Sequence, residues 1–161
     1  GGGTVYSFVN YPDRVPVTLA TYGQWSNPAT TGANILASVL AMKQASINNL
    51  HYGPWVLYIP TGYETRLDND YDATAPGTTI RERIMKIAGI QNIIVVDHLA
   101  AHNVLLVQTT SDVIRIVRGM GLTNVEWQTE GKFVNKYKVL TIQVPQIRSD
   151  QNGKTGIVHM S

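Results

Sequence analysis

The sequence predicts an α+β fold in which one long helix and one shorter helix flank a central, mostly antiparallel sheet. Three observations carry this. Between residues 30 and 51 apolar side chains recur at the three-and-four spacing of one helix face; Thr79-Ile80-Arg81-Glu82 is a capping box that opens a second helix; and from Ile93 onward short β-branched runs alternate with polar turns. No internal repeat or low-complexity stretch interrupts the 161 residues.

The first strand is expected over Thr4 to Val9, where Val5, Tyr6, Phe8 and Val9 supply apolar and aromatic side chains. Pro12 and Pro16 break it, because each lacks an amide donor and restricts the residue before it. Val17 to Leu19 reads as extended. Gly23 to Thr31 is turn chemistry that ends in a threonine N-cap. The long helix, about 31–51, should carry Ile35, Leu36, Val39, Leu40, Ile47 and Leu50 on one face that needs a partner. Gly53 suits the positive φ that stops a helix and Pro54 cannot continue one, so the chain should pass into the covered strand Trp55 to Ile59.

A polar loop is expected from Thr61 to Gly77, then the capped helix with Ile80, Ile84 and Ile87 as its stripe and Gly89 as its stop. Strands follow at Ile93 to Val96, Val104 to Gln108 and Val113 to Val117, the last ended by Gly119-Met120-Gly121. Two more, Val125 to Gln128 and Tyr137 to Val144, flank a turn at Gly131, and a terminal strand covers Thr155 to His159.

Composition excludes several function classes. With no cysteine there is neither a disulfide framework nor thiolate chemistry. A net charge of +2, with no lysine or arginine run, argues against a dedicated nucleic-acid module. The apolar runs fall short of the roughly 18 to 20 residues needed to cross a bilayer, and Gly1-Gly2-Gly3 has no signal-peptide character. Charged residues make up only 15% of the chain, a lean surface that fits either a β-rich protein or a subunit held against neighbours.

No motif builds an active site. Asp68-Asn69-Asp70-Tyr71-Asp72 spaces carboxylates as a calcium loop does, but Ala73 stands at the glycine position and Thr79 at that of the bidentate glutamate. His98 and His102 have the spacing of a helical zinc pair beside Asp97, yet they follow a strand and lack the zincin glutamate. Gly153-Lys154-Thr155 echoes a phosphate loop, with Arg148 where the first glycine belongs. Tyr52, Trp55, Tyr58 and Tyr63 surround an apolar strand, which favours packing over a stacking platform. A small metal-dependent hydrolase built on Asp97, His98 and His102, or on the Asp68 to Asp72 loop, is an alternative from another class.

The order of motifs is more informative than any one of them. A helix, then Gly53-Pro54-Trp55-Val56-Leu57-Tyr58-Ile59-Pro60, then Tyr63-Glu64-Thr65-Arg66-Leu67, then the helix from Arg81 to Ile90 with its strand, resembles the C-terminal half of tailed-phage major capsid proteins. It is also similar to the encapsulin shell proteins that share their fold. Asn103 to Gln108, Asp112 to Gly119 and Phe133 to Ile142 look like the closing strands of that family.

The resemblance implies a non-enzymatic shell protein that takes no cofactor, small-molecule substrate or membrane partner. Residues 1–60 would belong to a peripheral domain with the long helix as its spine, residues 61–145 to an axial domain, and residues 146–161 to a returning turn and strand. The partner would be the protein itself, in pentamers and hexamers of an icosahedral head assembled in the host cytoplasm, with packaged DNA touched weakly and non-specifically. An encapsulin-like compartment around an enzyme cargo is the alternative. Tyr63, Arg66, Asp68, Asp70, Asp72, Arg81, Arg83, Arg118 and Met120 are the subunit-interface candidates. One further expectation follows for the long helix: Leu36, Leu40 and Ile47 should be only partly covered by residues of this chain.

Overall fold

The computed structural model describes residues 4–72, 77–128, 131 and 134–161. Its centre is a five-stranded sheet formed by β1 (Val15–Val17), β2 (Trp55–Pro60), β3 (Ile90–Val96), β4 (Val104–Gln108) and β7 (Ile157–Met160), in the order β1-β7-β4-β2-β3. The sheet is mixed. β4 runs antiparallel to both β7 and β2, whereas β1 is parallel to β7 and β3 is parallel to β2. The parallel β2–β3 pair follows from its connection, a crossover that contains the helices α2 (Glu64–Leu67) and α3 (Ile80–Met85).

The long helix α1 (Gly32–Asn48) is capped by Thr31, whose hydroxyl accepts from the Asn34 amide at 3.2 Å. Ile35, Val39 and Met42 face the core, and so do Ser38 and Ser46, which the apolar pattern does not reveal; Leu36 and Ile47 are half-buried and Leu40 is 45% exposed, the partial cover expected of them. The two serines are inside because they answer indoles: Trp25 Nε1 donates to Ser38 Oγ and Trp55 Nε1 to Ser46 Oγ, each at 3.0 Å. Without those acceptors each buried N–H would be left unpaired.

Trp55 also explains the break between α1 and β2. Its ring lies between Gly53 and Gly89, both at positive φ (+89° and +92°), and a Cβ at either would meet ring carbons at 2.8 and 2.7 Å. Trp55 N donates to Gly89 O at 2.9 Å, tying the start of β2 to the turn after α3.

One core cluster lies between the sheet and the helices, with Ile35, Leu57, Ile59, Ile84, Leu106 and Met160 at its heart. On the other side Leu105, Val107, Val113 and Ile157 are covered by Phe8, Val9, Ile114 and Ile147.

Several expected boundaries differ. Residues 4–9 are not a strand: Ser7 N donates to Asn10 Oδ1 and Tyr11 N to Ser7 O, folding the segment into turns that lay Phe8 and Val9 on the sheet. Leu19–Thr21 is a 3₁₀ turn and not an extension of β1. The loop after β2 holds a 3₁₀ turn at Thr61–Tyr63 and α2. Gly119-Met120-Gly121 does not end a strand: β5 (Ile114–Gln128) runs through it and pairs antiparallel with β6 (Asn135–Ile147), with register shifts between Arg118 and Met120 and between Met120 and Thr123. The two-stranded ladder absorbs the glycines as bulges.

Candidate subunit-contact surfaces

The surfaces available to a neighbour follow from what the core leaves uncovered. The largest is the β5–β6 hairpin. It forms its own two-stranded sheet, joined to the body at its root by Ile114 and Ile147 and by Arg148 N donating to Val113 O at 2.9 Å. Its register opposes Val117 to Val144, Met120 to Ile142, Thr123 to Leu140, Val125 to Lys138 and Trp127 to Lys136. Cross-strand partners share a face, so this one carries Val117, Met120, Val125, Trp127, Leu140, Ile142 and Val144, with Thr123, Lys136 and Lys138 among them. Trp127 is 45% exposed and Ile142 54%, leaving large apolar surface in water. An isolated two-stranded hairpin is at best marginal in water, so such a face needs cover.

The expected interface residues fall into three groups. Arg118 is exposed and Met120 half-buried on the hairpin. A second group lies on the α2–α3 side, where Arg81 Nε donates to Asp68 Oδ1 at 2.7 Å and its guanidinium stands 3.6 Å from Glu64. Arg83 lies over the Tyr71 ring at 4.7 Å and donates to Thr78 Oγ1, while Asp70 forms a backbone bridge with Thr79 and is exposed with Asp72. Arg66 is half-buried, with one terminal nitrogen donating to Thr30 O at 2.6 Å.

Tyr63 stands apart. It is 2% exposed, stacked on Trp25 with ring centroids 5.4 Å apart, and hydrogen-bonded through its hydroxyl to His102 Nδ1 at 2.9 Å. Burial pushes its hydroxyl pKa up, only partly offset by a backbone hydrogen bond at Trp25. Tyr63 is therefore a core residue in this chain and not a surface contact, because the 3₁₀ turn after β2 rotates it inward.

The metal alternatives gain no geometry. Among the described residues no three His, Cys, Asp or Glu side chains are grouped as a metal site. The Asp68 carboxylate is taken by Arg81, His98 is exposed in the turn after β3, and His102 is turned to Tyr63 by its positive φ of 68°. Among the described residues no helix is long and apolar enough to cross a membrane.

Sequence reasoning missed the hairpin face because it split one long strand at the glycines; the alternation of Leu140, Ile142 and Val144 was its legible half.

Similarity to known proteins is structural. The fold matches the virus-like particle of Pyrococcus furiosus at a TM-score of 0.66 and 22% identity, covering 96% of this chain and 58% of that one. It matches the capsid of Myoviridae phage XM1 at a TM-score of 0.74 and 9% identity, covering 99% of this chain and 54% of that one. The chain thus has a shell-protein fold and spans little more than half the length of either neighbour. No curated protein matches it significantly. Residues 12–160 match the model of a family of unknown function, DUF6260, and the chain belongs to that family.

Proposed function

We propose that this DUF6260 chain is a shell protein that assembles with copies of itself, most specifically as a major capsid protein of a tailed-phage head enclosing double-stranded DNA. The single observation that supports this best is the fold shared with two shell proteins over nearly the whole chain. The uncovered hairpin adds a physical reason: a surface that must be buried and is not buried within one copy is most simply buried by the next. In this reading residues 1–60 serve the periphery of the subunit with α1 as its spine, residues 61–145 serve the capsomer axis, and residues 146–161 return. The hairpin, with Arg118 and Met120, and the Asp68–Arg81 side of the molecule, with Arg83, Asp70 and Asp72, are the contacts between subunits.

Charge supports a head-to-tail arrangement. The segment 114–147 contains five basic and two acidic residues, a net +3, so the remaining residues carry a net −1 of the total +2. Two copies meeting hairpin to body are therefore attracted, and hairpin to hairpin repelled. Heterologous contacts of this kind close into rings when the rotation permits.

Electron microscopy and multi-angle light scattering test the proposal. Rings or closed particles are expected for the natural protein, and a strictly monomeric species at high concentration would overturn it. Ile142→Asp with Val144→Asp should abolish assembly while leaving the melting of the main sheet intact. A compartment around a protein cargo is the second reading, favoured by the higher identity to the archaeal particle. Copurified protein in place of packaged DNA would select it.

A further inference from the structure

Residues 4–14 form a strap across the second face of the sheet, and its fastening is ionisable. Phe8 and Val9 cover Leu105, Val107 and Ile157. Tyr11 Oη bonds Ser149 Oγ at 3.0 Å, Ser149 Oγ donates to the Asp13 carboxylate, and Thr155 N donates to Asp13 O at 3.2 Å. The strap therefore also grips residues 147–149, the root of the hairpin. Its last residue, Arg14, donates through Nε to Nδ1 of His159 at 3.1 Å, and through a terminal nitrogen to Tyr11 O at 3.0 Å.

This arrangement fixes the tautomer of His159. Asn103 Nδ2 donates to Ala100 O and Ala101 O, so Asn103 Oδ1 is an acceptor and takes the proton of His159 Nε2 at 2.7 Å. Nδ1 must then be the lone pair that receives Arg14. The ring is 5% exposed on β7, beside Pro16 of β1 and Leu105 of β4 in the ladder, with Asn103 of the β3–β4 turn and Arg14 at its two nitrogens. Arg14 is the charged group in contact with it; the Asp13 carboxylate is engaged by Ser149.

We propose that His159 is the latch of an acid-released strap: a second proton on its imidazole replaces the acceptor with a donor facing Arg14, and residues 4–14 leave the sheet and the hairpin root. Burial, and then the Arg14 charge, hold the His159 pKa below the ordinary imidazole value, so the latch is closed at neutral pH and opens on acidification. The inference concerns the chain by itself and does not rest on assembly into a shell.

Backbone amide exchange, corrected for its intrinsic pH dependence, reads the strap directly at Arg14 and Thr155. Between pH 7 and pH 5 exchange should accelerate at least about tenfold in the wild type, as expected when an open state gains population. It should stay flat in His159→Gln, whose amide can keep both hydrogen bonds without titrating. His51→Gln, which replaces the other buried histidine, serves as the control and should accelerate as the wild type does. No acceleration in the wild type, or equal acceleration in His159→Gln, would overturn the proposal. If His159→Gln does not fold, Arg14→Met decides: its His159 ring should titrate at higher pH than in the wild type, and an unmoved midpoint refutes the latch.

Discussion

Gly89→Ala probes the most constrained contact in the molecule. Two costs add. An alanine at φ +92° occupies the left-handed region, at about 1–2 kcal/mol. Its methyl would also stand 2.7 Å from Trp55 Cζ3, well inside contact distance, and displacing a packed ring costs about 1–3 kcal/mol. The indole has little room to yield, with Gly53 also close against its Cε3–Cζ3 edge, Lys43 Nζ 5.5 Å from its centroid and Nε1 held by Ser46. The sum, about 2–5 kcal/mol, corresponds to a fall in melting temperature of about 5–15 °C for a domain of this size. Differential scanning calorimetry gives the shift, and the same substitution in a Trp55→Leu background isolates the backbone part, about 1–2 kcal/mol. A melting temperature within about 1 °C of the wild type would refute the reasoning about both the φ and the ring.

Other substitutions separate buried from exposed interactions. Ser46→Ala leaves Trp55 Nε1 buried without its acceptor and should cost about 1–3 kcal/mol in urea unfolding. Arg81→Gln removes an ion pair whose Asp68 side chain is 58% exposed, so chemical denaturation should register less than about 1 kcal/mol. Tyr63 has a folded-state pKa raised above the unfolded value of 10.0; the stability it protects is fully present below that value and drains away as pH rises past it. Tyr63→Phe should therefore melt with less alkaline sensitivity than the wild type, and identical alkaline profiles would count against the buried hydroxyl.

What could be read in advance follows from the range of the interactions concerned. The Thr79–Glu82 capping box is local, and both of its hydrogen bonds are present at 3.2 Å. The α1 stripe was half legible: apolar periodicity found Ile35 and Val39, but Ser38 and Ser46 are inside only because Trp25 and Trp55, distant in sequence or across a turn, require acceptors. Val5 to Val9 has the composition of a strand, and it is the Ser7–Asn10 turn that turns Phe8 and Val9 into a cover. Among the interface candidates the charged residues of 64–83 are at or near the surface as their polarity implies, whereas Tyr63 is amphipathic and only its Trp25 and His102 neighbours decide its side. The parallel edges of the sheet come from pairings that no short window contains.

The sheet order has a consequence in time. β7 lies between β1 and β4, so residues 15–17 have no sheet partner until residues 157–160 exist. During synthesis β1 must wait until residues 157–160 emerge, and a pairing of such long sequence separation is the kind that slows folding. Until then Leu106, Leu105 and their neighbours on β4 present an open ladder edge, the same edge that a foreign strand would take. β7, the latest of the described strands to emerge, is thus the one that closes the sheet against aggregation, and removing residues 157–160 should cost folding yield out of proportion to their number.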